Sequence, residues 1–280
     1  MKQFTLALVL LFSLLAIAQE EKKPEIFPFR RPELLVGKTV TIRPLSDEEI
    51  EKEKGYGNFF ENEDLDVYYK VGIFKSDPKS LENRVFKVVS AIKGKYDTYT
   101  LKLEAENGEI IYHIFYENEE EHYYFEVEGG LDFPNDFYCD YFEYGYDKGN
   151  KDILKWAGFY NIRIDLGTGH MTGQELAVRL SFKMESPADY GLTIIFDNGE
   201  KIELPQEPLV RGKRDAKKHA FLELEKESDK KLFSEHRITT VIFGKEKSQW
   251  GSDFTPQEGE RVRGIIKCGL DTIEERMAQN

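Results

Sequence analysis

The stretch from residue 97 to residue 117 reads DTYTLKLEAENGEIIYHIFYE, and its pattern decides the fold class of the chain. Over residues 97–105 apolar and polar side chains alternate, which is typical of a half-buried β-strand. Asn107 and Gly108 follow as the dipeptide that favours a type I′ turn, because both central positions of that turn need positive φ angles. The chain returns over residues 109–117, so this stretch predicts an antiparallel β-hairpin.

The same alternation recurs further along the chain. It is clearest over residues 176–184, where Leu, Val, Leu, Phe and Met alternate with smaller or polar residues. A second Asn-Gly pair, Asn198 and Gly199, separates the strand-like residues 192–197 and 200–204. The likeness of the two hairpins can reflect turn chemistry alone or an internal duplication. The sequence therefore predicts a mainly β fold of the α+β class, with two antiparallel β-rich halves.

One long helix is predicted near the end of the chain. Thr255, Pro256 and Glu258 have the order of an N-cap, a first-turn proline and a capping glutamate. Six apolar residues then fall on one face at helical spacing: Val262, Ile265, Ile266, Leu270, Ile273 and Met277. Such a stripe must be covered, so we predict that this helix covers the sheet of the second half. The first half is predicted to be a small barrel or meander.

The segment between the two halves, residues 131–152, differs from both in composition. It concentrates aromatic and acidic side chains, and it contains Cys139, one of only two cysteines. We predict that it connects a first β domain, residues 34–130, to a second β domain with the carboxy-terminal helix, residues 153–280.

Residues 1–18 have the three parts of a cleavable secretory signal. Lys2 supplies a positive start, residues 4–15 are apolar, and an A-x-A sequence ends the segment at Ala18. The apolar run is shorter than the roughly 20 residues that a membrane span needs, although an uncleaved anchor is the alternative. We predict cleavage near Ala18, an extended leader over residues 19–33, and a secreted or periplasmic protein without a membrane span.

Charge and cysteine content exclude several classes of function. The formal net charge is −13, with 52 acidic and 39 basic residues. Such a surface repels phosphate backbones, so nucleic acid is not expected as a partner. Two cysteines are too few for a disulfide scaffold or a cysteine zinc site. Export makes a disulfide between Cys139 and Cys268 chemically possible, and two free thiols are the alternative.

The sequence contains no catalytic or cofactor motif. A nucleophile elbow, a zinc-protease helix, a phosphate-binding loop and an EF-hand loop are all absent. His113 and His122 fall on one face of a predicted hairpin, but roughly 13 Å apart, which is too far for one metal ion. The glycine-rich residues 167–173 lie between two strand-like segments, which favours a hairpin loop over a phosphate cradle.

A calcium site is the one cofactor hypothesis that the sequence offers. Asp147, Asn150 and Asp152 lie close together at the end of the connector and can, with backbone carbonyls, supply the oxygen ligands that calcium requires. An acidic protein also places such triplets in solvated loops, which is the alternative.

The connector's aromatic residues form the second candidate site. Tyr138, Tyr141, Tyr144 and Tyr146 depart from strand alternation, and Trp156 follows in a predicted helical turn over residues 152–158. Tyrosine has an apolar body and a polar tip, so an exposed cluster can stack on sugars or anchor a protein interface. Packing between the two halves is the alternative role.

These observations favour an exported, non-catalytic binding or envelope-associated protein whose ligand is a protein or a glycan. The alternative is a secreted hydrolase acting on carbohydrate or another polymer through a pair of carboxyl groups about 5 or 9 Å apart. With 52 acidic residues, the sequence does not identify that pair.

Overall fold

The structure is a computed structural model that describes residues 26–72, 75–146, 153–159, 161–167, 177–212, 217–244 and 251–279. The chain divides into two compact units, Met1–Leu131 (unit 1) and Asp132–Asn280 (unit 2). Antiparallel strands dominate both units, which confirms the predicted mainly β fold. Among the described residues, no helix combines the length and the hydropathy that crossing a bilayer requires.

Unit 1 is built on one six-stranded antiparallel sheet with the order β2-β5-β4-β3-β1-β6. Its strands are β1 (Thr39–Ile42), β2 (Phe59–Phe60), β3 (Val85–Lys93), β4 (Thr98–Glu104), β5 (Ile110–Tyr116) and β6 (Phe125–Val127). Two short helices, α1 (Asp47–Glu53) and α2 (Pro78–Leu81), lie in its connections. The consecutive strands β3, β4 and β5 form the predicted meander, because each pair is joined by a short turn.

The hairpin between β4 and β5 is confirmed, but its predicted type I′ turn is wrong. Only Gly108 has a positive φ, 81°, and its N–H donates to the carbonyl of Ala105. This is a type I turn followed by a glycine bulge, which needs one left-handed residue instead of two. The second Asn-Gly turn is built alike, with Gly199 at φ 84° and bonded to Phe196.

The core of unit 1 is rich in aromatic side chains. Alternate residues of the strands point to one side, as the strand period of two requires. Phenylalanine and tyrosine rings pack there with branched aliphatic residues. The largest members with almost no exposure are Tyr56, Phe59, Phe86, Tyr124, Phe125, Leu35 and Ile42.

Unit 2 contains two antiparallel sheets. One has the order β13-β14-β10-β9-β8-β7 and the other the order β12-β11-β15-β16. The strands of the first sheet are β7 (Glu143–Tyr146), β8 (Ile153–Phe159), β9 (Ile162–Gly167), β10 (Ala177–Met184), β13 (Val210–Arg211) and β14 (Lys218–Glu223). Those of the second are β11 (Tyr190–Phe196), β12 (Lys201–Pro208), β15 (Ile238–Phe243) and β16 (Gly251–Asp253).

The described part of unit 2 also contains two helices, α3 (Glu227–Glu235) and α4 (Pro256–Gln279). The N-terminus of α4 has the predicted cap, since the N–H of Thr255 donates to Glu258 at 2.8 Å and the N–H of Glu258 donates back at 3.2 Å. Of its apolar stripe, Val262, Ile265, Ile266, Leu270 and Ile273 are buried, and the helix contacts β9, β10 and β15, which confirms that it covers sheet surface in the second half.

The helical turn predicted over residues 152–158 is wrong. Its described part, residues 153–158, belongs to strand β8, which is paired with β7 on one side and with β9 on the other. The two ladders satisfy backbone N–H and C=O groups on both sides of the strand. A single helical turn leaves most of its backbone groups without partners, so the sheet is the better solution.

Candidate ligand-binding surface

Two of the tyrosines predicted to bind a ligand pack inside unit 2. Tyr138 and Tyr141 belong to a 3-10 turn, Phe137–Tyr141, and Tyr141 is only 7% exposed. The ring of Tyr138 lies so close to α4 that a Cβ on Gly264 would collide with it. Burial raises the pKa of the Tyr138 phenol above its ordinary value. Both residues therefore contribute to packing, and a ligand-binding role for them stays a prediction.

A disulfide joins this turn to α4. Cys139 and Cys268 are bonded, with their Cα atoms 5.6 Å apart and a sequence separation of 129. Of the two alternatives that the sequence left open, the structure contains the disulfide. It attaches the aromatic turn to the middle of the helix, four residues beyond Gly264, so the turn and the helix form one packed element.

The remaining predicted aromatics lie at the edge of the first sheet of unit 2. Tyr144 and Tyr146 are in β7, the outermost strand, where they pair with Lys155 and Ile153. Trp156 in β8 sits between Glu143 and Asp165 of the neighbouring strands. Their role in ligand binding stays a prediction.

The predicted calcium ligands Asp147, Asn150 and Asp152 lie outside the described residues, and so does most of the glycine-rich loop over residues 167–173. Within the described part of the chain, no group of three or more His, Cys, Asp or Glu side chains has the arrangement of a metal site. Calcium binding at the three named residues stays a prediction.

Strand β5 of unit 1 carries a candidate binding surface that was not predicted from the sequence. Ile111, His113 and Phe115 are buried towards the core, as alternation requires. The opposite face carries Ile110, Tyr112, Ile114 and Tyr116, none of which is charged. An antiparallel sheet with one solvated face normally presents polar residues there. In β5 the polarity is reversed, because the histidine faces the core and large apolar bodies face outward.

The neighbouring strands extend this outer face. The register pairs residues of β4 with those of β5: Thr98 with Tyr116, Thr100 with Ile114, and Lys102 with Tyr112. On the other side, Phe60 of β2 lies opposite Tyr112 and stacks on Tyr68 with ring centroids 4.8 Å apart. On β3, Ile92 lies opposite Thr100 and is 57% exposed.

We call this surface the tyrosine face and define it as Tyr68, Ile92, Thr98, Thr100, Lys102, Tyr112, Ile114 and Tyr116. Phe60 is only 5% exposed, so it supports the ring of Tyr68 and does not itself belong to the surface. Its chemistry consists of aromatic rings, aliphatic side chains and hydroxyl groups, with a single cation. Desolvation raises the pKa of the Tyr116 phenol above its ordinary value, and the charge of Glu119 acts in the same direction. Because its proton is retained at neutral pH, the Tyr116 hydroxyl can both donate and accept hydrogen bonds.

An exposed tyrosine stands at one end of the tyrosine face. Tyr96, at the tip of the β3-β4 hairpin, is 94% exposed. Tyr96 and Asp97 both have left-handed φ angles, 55° and 58°, a conformation that costs roughly 1–2 kcal/mol for residues with a Cβ. The N–H of Glu117 donates to the carbonyl of Asp97 at 3.0 Å, which brings this tip beside the end of β5.

His113 lies directly beneath the tyrosine face. Its ring is 1% exposed and packs on Phe59 and Phe125, with centroid distances of 4.4 and 5.0 Å. Its Nδ1 atom has no hydrogen-bond partner. Burial lowers the pKa of His113 to about 3, against the opposing effect of a hydrogen bond to the Asn58 backbone. The imidazole is therefore neutral at physiological pH.

Five described carboxyl groups have a resolved pKa shift, and in each the direction is opposite to that of a glycosidase general acid. The general acid of a glycosidase pair needs a raised pKa. Arg43 lowers the pKa of Glu49 to about 2, and hydrogen bonds from Arg84 and Tyr69 lower that of Glu109. Among the described residues, every carboxyl group with a resolved shift has a lowered pKa.

Sequence reasoning missed the tyrosine face although its signal is present in the printed sequence. Residues 110–116 read IIYHIFY, an apolar strand on both faces. Such a run is typical of a strand that is buried on both sides or of one with a contact surface. Comparison of the chain with protein-family models, with curated proteins and with solved structures gives no match.

Proposed function

We propose that this is an exported, non-catalytic binding protein and that the tyrosine face is its contact surface. The observation that carries the proposal is the reversed polarity of β5, whose outward residues are uncharged and whose histidine is buried. The chain has a formal net charge of −13, so solvent-facing strand positions without any charged side chain are unusual for it. The signal-like residues 1–18 support export.

The chemistry of the tyrosine face fits a neutral oligosaccharide. Tyrosine rings offer flat apolar surfaces to the C–H groups of a sugar ring, and their hydroxyls hydrogen-bond to its polar groups. Thr98 and Thr100 add hydroxyls between the rings. Tyr112 and Tyr116 are four residues apart on one strand, about 13 Å, which is room for more than one sugar unit. The single cation, Lys102, gives little preference for an anionic ligand.

The test is a titration of the full chain with neutral oligosaccharides of increasing length, followed by intrinsic fluorescence and calorimetry. We expect the double variant Tyr112→Ala/Tyr116→Ala to weaken binding at least tenfold. Tyr190→Ala is the matched control, because Tyr190 is an exposed strand tyrosine of unit 2 and its loss should leave binding unchanged.

Three outcomes would overturn this proposal. Unchanged binding in the double variant, with an unchanged melting temperature, would remove the tyrosine face as the contact surface. Release of new reducing ends during the titration would favour the hydrolase alternative. Binding of a protein in the same assay, with no response to any oligosaccharide, would mean that the ligand is a protein and not a saccharide.

A further inference from the structure

The two Asn-Gly turns carry a reactive sequence that the proposed binding function does not use. Asn107 and Asn198 are each followed by Gly and then by Glu, and both asparagines and both glycines are exposed. Glycine has no Cβ to block the approach of its backbone nitrogen to the preceding side chain. An Asn-Gly pair therefore leaves the asparagine carboxamide unusually open to attack by the main chain.

In the turn at Asn198, two hydrogen bonds occupy the groups that would react. The Gly199 N–H donates to the carbonyl of Phe196 at 3.0 Å, and the Asn198 Oδ1 accepts from the Glu200 N–H at 3.0 Å. The ψ angle at this position of a type I turn is about 0°, which directs the glycine nitrogen away from the carboxamide carbon. Attack therefore requires the main chain after Asn198 to rotate, and both bonds have to break first.

The turn at Asn107 has the same two bonds and one further restraint. The Gly108 N–H is bonded to the main chain as in the other turn, and the Asn107 Oδ1 accepts from the Glu109 N–H at 3.0 Å. The Glu109 carboxylate also accepts from the Arg84 guanidinium at 2.6 Å and from the Tyr69 hydroxyl at 2.8 Å. The chain on the carboxy-terminal side of Asn107 is therefore tied to two other segments of unit 1.

No such restraint acts on the carboxy-terminal side of Asn198. Within the described residues, the exposed Glu200 carboxylate has no ion pair or hydrogen bond. Strand β12, which follows, is the outermost described strand of its sheet, and only its Ile202 is buried. Asp197 is held by Arg237 at 2.7 Å, but it precedes Asn198 and does not need to move. The arm of the hairpin that has to rotate is thus the weakly held one.

We propose that Asn198 is a site of spontaneous deamidation and that the fold protects Asn107. Hydroxide removes the proton of the Gly199 N–H, and the nitrogen attacks Cγ of Asn198. The new N–Cγ bond forms while the Cγ–Nδ2 bond breaks, and the leaving nitrogen takes a proton from water and departs as ammonia. Water then opens the cyclic imide at either of its carbonyl groups, which leaves aspartate or isoaspartate.

The reaction changes both the charge and the length of this turn. The new carboxylate lies between Asp197 and Glu200 in sequence, so it adds a like charge to an acidic turn. In the isoaspartate product the main chain runs through the former side chain and is longer by a methylene group. This does not fit the short loop that sets the register of β11 with β12, so we expect β12 to lose pairing as the protein ages.

The experiment is incubation of the folded full chain in mildly alkaline buffer, followed by proteolysis and mass spectrometry of the two Asn-Gly peptides. We expect Asn198 to deamidate about fivefold faster than Asn107 or more, because its hairpin opens more often. The same incubation in concentrated urea is the matched control, since both sites share the sequence Asn-Gly-Glu and should then react at similar rates. Hydrogen exchange of β12 should increase in the deamidated fraction.

A variant tests the restraint on Asn107. Arg84→Gln removes the ion pair with Glu109 without altering the Asn-Gly-Glu sequence. It should raise the deamidation rate of Asn107 about threefold and leave that of Asn198 unchanged. Lys87→Ala, at an exposed cation of β3, is the matched control and should change neither rate.

Three results would overturn the proposal. The first is an equal rate of deamidation at the two asparagines of the folded chain. The second is an intact Asn198 in the folded chain over a period in which the chain in urea reacts. The third is an unchanged rate at Asn107 in Arg84→Gln, which would remove the restraint on Glu109 as the reason for protection.

Discussion

The two units are stabilised in different ways. Unit 1 closes its core with aromatic rings around a buried, neutral His113, and both cysteines of the chain lie outside it. Unit 2 has a covalent bond between Cys139 and Cys268 and a long capped helix. The contrast teaches that one chain can depend on two separate conditions: the protonation state of one side chain in unit 1 and the oxidation state of one bond in unit 2.

Loss of the disulfide should produce the largest difference between the units. The bond closes a loop with a sequence separation of 129 residues, for which the chain-entropy model gives a stabilisation of about 5 kcal/mol. We expect Cys139→Ser/Cys268→Ser to increase hydrogen exchange throughout α4 and the strands beneath it. Exchange in β3, β4 and β5 should change little, and mass spectrometry of peptides from both units measures the two responses together.

Reduced wild-type protein serves as the control for this prediction. It should reproduce the exchange pattern of the double variant, because both lack the same bond. Equal acceleration in the two units would show that they unfold as one cooperative body and would end the comparison.

Acid should act on unit 1 through His113. The unfolded chain takes up a proton at this residue near pH 6.5, whereas the folded unit does so only near pH 3. The contribution of neutral His113 to the stability of unit 1 is therefore complete above about pH 6.5. Between about pH 6.5 and pH 3 the free energy of unfolding falls by about 1.4 kcal/mol for each unit by which the pH decreases. At pH 5 the loss is about 2 kcal/mol.

The measurement is denaturant unfolding followed by hydrogen exchange in unit 1 between pH 7.5 and pH 4. His113→Leu should remove most of the slope against pH in that range, whatever its effect on the stability at neutral pH. His236→Leu is the matched control, since that partly exposed histidine belongs to unit 2 and its loss should leave the slope of unit 1 in place. A slope equal in wild type and His113→Leu would contradict the assignment.

Some elements of both units could be predicted from the sequence. Alternation over residues 97–117 was sufficient to predict β4 and β5. The residues around Thr255 were sufficient to predict where α4 begins, because strand period and helix capping are local properties. The turn at Asn107 differed from the predicted type I′ turn, because the strand register selected a three-residue loop with one left-handed glycine. Residues 153–158 form a strand and not the predicted helical turn, because pairing with two neighbouring strands cannot be inferred from one segment of sequence.

The tyrosine face could not be located from local pattern. Locating it requires knowing which side of residues 110–116 is buried, and a strand that is apolar on both faces does not reveal this. The aromatic composition of residues 131–146, in contrast, can be read directly from the sequence. It did not identify a binding site reliably, because two of its tyrosines pack against α4.

Helix capping offers the smallest and most precise comparison of the units. In unit 1, Glu49 accepts from the Ser46 N–H at 2.8 Å, which caps α1, and also accepts two bonds from Arg43 at 2.6 and 3.1 Å. In unit 2, Glu258 caps α4 through Thr255. Glutamine preserves the capping geometry and removes the charge. We expect Glu49→Gln to destabilise unit 1 by about 1 kcal/mol and Glu258→Gln to destabilise unit 2 by about half as much, since only the former breaks a bidentate arginine pair that is partly exposed.

Denaturant unfolding at pH 7 and at pH 4 checks this difference. The pKa of Glu49 is lowered to about 2 from its ordinary 4.5, so its stabilising contribution is complete above about pH 4.5 and is lost as the pH falls towards 2. At pH 4 most of the Glu49→Gln effect should persist, although the acid response of His113 has already weakened unit 1. Equal losses for Glu49→Gln and Glu258→Gln would mean that the ion pair with Arg43 adds nothing to the cap of α1.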